Sequence, residues 1–320
     1  MDLTTTVSSD QPITITIGNF DGIHRGHLQL LRELGEVARE TGSTAVMVTF
    51  NPHTLLVVRP GIELECLTTL QEKLALAKRF GGVSDSIVVH FTTEVAGLSA
   101  GAFLDELRAR FTIKAMVVGS DFSLGHNRMG NIAFLRQYGQ EHDILIRAIQ
   151  LEEAERTRIS STRIRSLVSE GHIAEANELL GHPVIESGIV VRGDQRGRLL
   201  GYPTANLLPQ PHKLLPANGI YAARVYIGNL AKSDGSGNAP VLYNESQVAR
   251  KSAVSVGVRP MFDGKKRVVE AYLLDTELDL YDWLIIIEFV ARLRDEERFD
   301  SIDALIAQMA RDVQQTRLLL

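Results

Sequence analysis

A single cysteine, Cys66, in 320 residues leaves no partner for an intrachain disulfide and suits a reducing compartment, so a cytoplasmic location is expected. Long apolar runs are missing as well; none reaches the ~18 residues that span a bilayer. The first eleven residues lack the basic start and apolar core of a signal peptide and are expected to form a disordered tail. Nor is there an excess of positive charge. With 34 Lys and Arg against 39 Asp and Glu, the net charge of −5 gives no general pull toward nucleic acid or an anionic membrane. An anionic ligand must therefore be held by local groups. The 44% hydrophobic and 23% charged residues that remain are ordinary for a globular protein, and the length favours two domains.

The most informative stretch is GNFDGIHRGH, Gly18 to His27, between an apolar strand pattern at Ile13 to Ile17 and a helical pattern from about Leu28 to Glu40. A strand, a glycine-rich turn and a helix start present unpaired N–H groups and a positive dipole end to an anion. Gly18, Gly22 and Gly26 allow close backbone approach to a ligand, and His24 and His27, three apart, face the same way. Glycines spaced by four, with no Lys-Ser or Lys-Thr following, match neither the dinucleotide fingerprint nor the Walker loop. Metal ligation by the two histidines is the alternative, although no third ligand sits nearby. The helix terminus disfavours imidazolium and leaves neutral rings that donate one hydrogen bond each.

From Ile13 to about Ile149, near-continuous apolar runs (Ala45 to Phe50, Ser86 to His90, Ala115 to Gly119, Ile144 to Ile149) alternate with helical patterns at about 69–80, 100–111 and 131–138. This alternation predicts a parallel sheet covered on both faces, with ligands beyond the carboxyl ends of its strands. Those ends carry the histidine turn, FNPHT with His53, the loop GSDFSLGHNRMG with Asp121, and ISSTRIRSL from Ile159 to Leu167. Ser160, Ser161 or Thr162 caps the last helix under any fold. With Arg165 the same helix start makes a second anion site.

As a set, these four segments resemble the adenylyltransferase module of bacterial bifunctional riboflavin kinase/FAD synthetases. The resemblance covers most of residues 13–183. It implies a Rossmann-like nucleotidylyltransferase domain in which His24 and His27 are catalytic, touching ATP phosphates and steadying the charge on leaving pyrophosphate. Gly18, Phe20, Asp21, Gly22, Ser161, Thr162 and Arg165 join them at the phosphates, and His53 and Asp121 line the nucleotide and flavin site. Thr54 stands where that family usually has proline, Ser120 where glutamate is usual and Leu124 where an aromatic is common. These departures bear on loop shapes and flavin contacts.

Helical periodicity ends near Gly181, with Pro183 as a breaker after two short helices. Six short β-rich runs follow, at Gly188 to Gly193, Gly219 to Ile227, Ala239 to Tyr243, Lys251 to Val258, Arg267 to Leu274 and Asp282 to Leu293. They suggest a small closed antiparallel barrel, with Ser233 to Asn238 as a surface turn. Ile302, Leu305, Ile306, Met309 and Val313 recur at helical spacing and predict a terminal amphipathic helix packed on it. Domains of residues 12–184 and 185–320 follow.

GDQRGRLLGYPTANL, Gly193 to Leu207, holds more glycine and arginine than a hairpin requires. Thr204 and Asn206 offer oxygen of the kind Mg²⁺ accepts beside phosphate; as turn formers they would need no ligand. Pro-Thr-Ala-Asn after such a loop resembles riboflavin kinases, and the match runs from about Gly188 to the end. That likeness implies a six-stranded Greek-key barrel in which Gly197, Arg198, Gly201, Thr204 and Asn206 hold the magnesium nucleotide. It makes Glu270 the catalytic base and places Arg294 and Glu297 beside the flavin. By alternation alone Glu270 is equally suited to face solvent. Met261 stands where threonine is usual and Asp282 where glycine is common. The expected activity is phosphorylation of riboflavin to FMN and adenylylation of FMN to FAD, with riboflavin, FMN and ATP as substrates and Mg²⁺ accompanying ATP. Adenylylation alone, with a flavin-binding but non-catalytic barrel, is the alternative.

Overall fold

The computed structural model describes residues 1–320 apart from 9, 84, 152, 155–156, 194–195, 231–241, 244–246 and 262–263. In the first half the strands are β1 (Leu3–Thr5), β2 (Ile13–Ile17), β3 (Thr44–Asn51), β4 (Asp85–His90), β5 (Ile113–Gly119) and β6 (Leu145–Ile149), with a small hairpin, β7 (Glu153–Ala154) and β8 (Thr157–Arg158). The helices there are α1 (Arg25–Glu40), α2 (Thr54–Val58), α3 (Leu70–Gly81), α4 (Thr93–Ala96), α5 (Ala100–Arg108) and α6 (Ile132–His142). After α7 (Ser161–Glu170) and α8 (Ile173–Leu180) come β9 (Val184–Val191), α9 (Arg196–Leu199), β10 (Ala205–Leu207), β11 (Gly219–Leu230), β12 (Arg250–Met261), β13 (Gly264–Leu273), β14 (Trp283–Arg294) and α10 (Ile302–Leu319). Contacts group residues 1–66 with 76–160, and residues 67–75 with 161–320.

In the first unit the sheet order is β1-β4-β3-β2-β5-β6, parallel throughout except for β1. The five parallel strands thus have the Rossmann-like order, with β2 central. Ile13, Ile15, Val46 and Val48 on one face and Thr14, Thr16, Met47 and Val88 on the other are all buried, as strands covered on both faces require. The N-terminal segment is not the disordered tail expected of it. Leu3–Thr5 pairs antiparallel with β4, because that edge strand offers unpaired backbone groups; the Thr5 hydroxyl also donates to the Ser86 carbonyl at 3.0 Å.

In the second unit six strands close in the order β10-β13-β12-β11-β14-β9, all antiparallel. The expected strand at Ala239 to Tyr243 lies for the most part outside the described residues, together with Ser233 to Asn238; a strand that composition does not announce completes the described six. It is Ala205–Leu207, inside the stretch whose composition reads as a loop. The helices α7 and α8 group with the barrel. Asn177 on α8 donates to the Phe289 carbonyl of β14 at 2.9 Å and accepts from the Val184 N–H of β9 at 2.7 Å. The terminal helix is present, but its buried residues are Asp312 and Thr316, while Ile302 is 65% exposed.

A buried ionic knot ties the start of α3 into this second unit. Thr69 and Glu72 form a reciprocal capping box, Glu72 N–H to Thr69 Oγ1 at 3.2 Å and Thr69 N–H to Glu72 Oε2 at 2.9 Å. The Lys213 ammonium lies 3.3 Å from Glu72 and 3.8 Å from Glu186, and donates to the carbonyls of Leu67 and Ile185, both at 2.7 Å. Ser187 donates to the other Glu72 oxygen at 2.8 Å. One ammonium cannot fully neutralise two buried carboxylates. Burial pushes the Glu186 carboxyl up to about 8, outweighing the Lys213 ammonium that lowers it, and the Glu72 charge adds to the rise.

The folded protein therefore keeps a proton that the unfolded chain gives up near 4.5, and this contribution to stability is lost as pH rises through about 8. Urea unfolding, followed through the only tryptophan, Trp283 on β14, is expected to weaken between pH 5 and 8.5 by at most about 1.4 kcal/mol per pH unit from this group. Glu186→Gln, which never ionises, should remove that part of the slope. Equal slopes in parent and variant would show that Glu186 is ionised throughout.

Candidate functional site

The first unit offers a site where its topology changes direction. Strand β2 has β3 on one side and β5 on the other, so the connections leaving its carboxyl end diverge and open a crevice. The histidine turn begins at that end. Gly22 takes φ +84, and Phe20 and Ile23 take φ +51 and +46, values that cost a side chain of order 1 kcal/mol or more. Both side chains are fully buried, which is what holds the strained turn in shape.

His24 is the N-cap of α1, which explains why the helix starts earlier than its apolar periodicity suggests. Its Nδ1 accepts the His27 backbone N–H at 3.4 Å. That nitrogen must carry a lone pair, so the ring proton resides on Nε2. The His27 ring stacks on His24 with centroids 3.6 Å apart and planes within 14°, and Phe20 meets it edge-on at 5.1 Å. Two imidazolium charges at this separation would repel, so the arrangement suits neutral rings. Asp21 is buried in the same turn.

At the end of β3, His53 caps α2 in the same manner, its Nδ1 accepting the Leu55 N–H at 3.2 Å. At the end of β5, Asp121 is exposed on the loop from Gly119 to Gly130. That loop is structured: Leu124 and Gly130 exchange backbone hydrogen bonds at 3.1 and 3.0 Å, and a Cβ on Gly125 would lie 2.4 Å from the Ala100 nitrogen of α5. The first unit thus brings His24, His27, His53 and Asp121 to the carboxyl ends of β2, β3 and β5. Ser161, Thr162 and Arg165 stand on the first turns of α7, in the second unit.

The barrel carries its own cluster. Asn206 on β10 is directly opposite Glu270 on β13, so the two side chains share a face of the sheet. The flanking Val269 and Ala271 are buried in the barrel core, so this pair stands on the other face, where Glu270 is half-buried. The Oδ1 of Asn206 is buried without a hydrogen-bond partner, while its Nδ2 donates to the Thr204 carbonyl at 3.2 Å. A Cβ on Gly193 would fall 2.5 Å from that oxygen, so only glycine leaves Asn206 its place. Gly201, at φ +85, turns the chain back after α9 so that the Tyr202 N–H reaches the Gly197 carbonyl at 2.8 Å. Arg198 lies on α9.

Thr204 and Asn206 open on a cavity of about 500 Å³ whose far wall is Thr276 to Tyr281. Sequence reading misses this wall, because it follows β13 without any motif. Tyr281 also carries the Arg192 guanidinium 5.2 Å above its ring. Next to it Asp282 adopts φ +65, the conformation that explains why glycine is common there in the family it resembles. At the end of β14, Arg294 grips Asp312 of α10 through two hydrogen bonds of 2.9 and 2.7 Å; this pairing is the main reason its guanidinium is held more basic than usual. Glu297 is exposed beyond it.

Residues 6–163 match the family model described as FAD synthetase, and residues 180–320 match that of riboflavin kinase. A bifunctional riboflavin kinase/FMN adenylyltransferase of Escherichia coli K12 is 36% identical over 299 residues, covering 93% of this chain and 90% of its own. The protein of that name from Listeria monocytogenes is 30% identical over 317 residues, covering 98% and 95%. A crystal structure of a Streptococcus pneumoniae protein described as a macrolide-efflux protein superposes with a TM-score of 0.82 at 30% identity, covering 98% of this chain and 96% of that one. Among the described residues no helix is long and apolar enough to cross a membrane.

The caps on α1 and α2 fix a tautomer that can be observed directly. In ¹⁵N-labelled protein at pH 7.5, long-range ¹H–¹⁵N spectra should show His24 and His53 with the proton on Nε2 and a bare Nδ1. A protonated Nδ1 at either residue would contradict the capping geometry.

Proposed function

Because the chain belongs to the family of bifunctional riboflavin kinase/FMN adenylyltransferases, we infer that it makes FAD in two ATP-dependent steps. Riboflavin and ATP give FMN and ADP; FMN and a second ATP give FAD and pyrophosphate. The observation that carries this reading is that each unit has its own anion-adapted turn, at the switch point of a parallel sheet in one and beside the Asn206/Glu270 pair of a closed barrel in the other. Since the riboflavin kinase region spans the whole barrel, a barrel that merely carries flavin is not favoured.

For adenylylation, the assignment is that a phosphate oxygen of FMN attacks the α-phosphorus of ATP in line while the bond to the β-phosphate oxygen breaks. Each Nε2–H of His24 and His27 donates to phosphate oxygens whose charge grows in that step. Gly18, Phe20, Asp21 and Gly22 shape the turn around the triphosphate; Ser161, Thr162 and Arg165 receive the departing pyrophosphate; His53 and Asp121 contact nucleotide and flavin. For the kinase, Glu270 takes the proton of the riboflavin 5′-hydroxyl as its oxygen attacks the γ-phosphorus and ADP leaves. Gly197, Arg198 and Gly201 form the phosphate loop, and Arg294 and Glu297 border the flavin.

Mg²⁺ fits the barrel site on one observation, the buried Asn206 Oδ1 without a hydrogen-bond donor; the Thr204 hydroxyl lies 3.5 Å from the Nδ2 of the same amide. Those two oxygens would hold it, and bound Mg²⁺ would supply charge neutralisation at the β- and γ-phosphates. The catalytic domains are assigned as 12–184 for adenylylation and 185–320 for phosphorylation, working in the cytoplasm on small-molecule substrates.

Incubation with riboflavin, Mg²⁺ and ATP, with the flavins resolved by chromatography, should yield FMN and then FAD. Loss of a transition-state donor in His27→Ala should slow FAD formation roughly 10²-fold and leave riboflavin phosphorylation intact. Equal loss of both activities would mean misfolding and count against the role.

Glu270→Gln keeps size and reach but accepts no proton, so FMN formation should fall ~10²-fold or more while adenylylation of supplied FMN continues. Raising Mg²⁺ well past saturation separates this from a metal defect, because only the latter would recover. Phosphorylation at the parent rate would remove Glu270 from the mechanism.

A further inference from the structure

Among the described residues, Asn19 ties the turn that carries His24 and His27 to the end of β3 and the start of α2. The Gly18 N–H donates to the Val48 carbonyl at 3.1 Å, and the Thr49 hydroxyl donates to the Asn19 carbonyl at 3.2 Å. Beyond the strands the side chains take over. Asn19 Nδ2 donates to Thr54 Oγ1 at 2.9 Å, and the Thr54 backbone N–H donates to Asn19 Oδ1 at 3.2 Å. The backbone N–H is a donor only, so it fixes which way the amide faces, and the Thr54 oxygen must then accept from Nδ2.

Thr54 is the first residue of α2, where an N–H has no acceptor within its own helix. Asn19 supplies that acceptor from a different turn. His53, immediately before it, has its ring fixed by the Leu55 N–H. One reciprocal pair of hydrogen bonds therefore joins the turn bearing His24 and His27 to the one bearing His53, at the carboxyl ends of adjacent parallel strands.

We propose that Thr54 is a positioning residue for adenylyl transfer: through Asn19 it sets the histidine turn against the His53 turn. This rests on the assignment of that crevice to FMN adenylylation. In-line transfer between two phosphates is steeply sensitive to placement; burial of Phe20 and Ile23 holds the strained turn at its base, and the Asn19–Thr54 pair holds it at its rim, where it meets the His53 turn. A loosened turn would still bind ATP through its N–H groups. The rate in the bound complex is what should suffer.

The test uses the full chain and three variants. Thr54→Val keeps the branched shape and the backbone N–H but cannot accept from Asn19; Thr54→Ser keeps both bonds; Asn19→Ala removes both. For FMN adenylylation, kcat should fall about 3- to 10-fold in Thr54→Val and further in Asn19→Ala, with KM for ATP and FMN within about twofold, while Thr54→Ser stays near the parent. In the Asn19→Ala background, Thr54→Val should cost almost nothing more, the signature of two residues acting as one pair. Riboflavin phosphorylation should be unchanged in all variants. If the parent makes no FAD from FMN, the assignment of the crevice fails. If the parent is active and Thr54→Val keeps the parent kcat, or its effect adds fully to that of Asn19→Ala, the positioning role alone is overturned. That role is equally overturned if the variants lower the melting temperature while kcat per folded enzyme is unchanged.

Discussion

The first backbone N–H groups of a helix have no acceptor inside it, and in this chain that constraint places the groups that matter for chemistry. At α1 the acceptor is the His24 ring, so satisfying a backbone donor also selects the tautomer with the proton on Nε2. At α2 Asn19 takes the Thr54 N–H and the His53 ring takes that of Leu55. At α3 the Thr69 hydroxyl takes the Glu72 N–H, and the Glu72 carboxylate, which accepts the Thr69 N–H in return, is one of two that face the buried Lys213. A serine or aspartate would cap any of these helices equally well. Histidine at the first two is the choice that couples a structural need to a proton held at a known atom.

In the barrel the corresponding constraint is strand register. A slip of one residue between β10 and β13 would take Asn206 and Glu270 from the same face to opposite faces. Little of β10 resists such a slip, since it is only three residues long. Glycines make room for the observed register: a Cβ at Gly193 would fall on the Asn206 side chain, and one at Gly188 would come 3.1 Å from a Leu207 methyl.

The same physics explains what can be read from sequence. The parallel strands are legible because both faces are buried, which makes them unbroken apolar runs, and the turn after β2 because glycine and histidine concentrate there. Strand β10 is hidden because three residues show no period, and Pro-Thr-Ala-Asn reads as a turn on local chemistry. The N-terminal strand is invisible because its pairing depends on the free edge of β4, a tertiary fact. Thr69 and Glu72 have the spacing of a capping box, so that helix start is within reach of sequence; the burial of Lys213 beside it is not, since its partners come from residues 67, 72, 185 and 186. Thr54 stands out only as a departure from proline, and the reason for it, an N–H and a hydroxyl both engaged by Asn19, emerges only when β2 and β3 are side by side.

The terminal helix shows what apolar periodicity leaves out. Leu305, Ile306, Met309 and Val313 of the stripe are half-buried and Ile302 is exposed, yet the most deeply buried residues on α10 are Asp312 and Thr316. Thr316 bonds back to the Asp312 carbonyl at 2.8 Å, and Asp312 takes the Arg294 fork together with the Gln308 amide at 2.8 Å. At its far end Arg317 pairs with Asp275, two bonds of 2.6 Å, just past β13. An apolar stripe tolerates sliding by a turn, because one aliphatic contact replaces another at little cost. A forked, largely buried ion pair does not, since displacing either partner leaves a desolvated charge unpaired. The pairing thus contributes less to the strength of docking than to its uniqueness. It fixes the angle at which β14 hands the chain to the segment from Arg294 to Phe299, which is the segment assigned to the flavin.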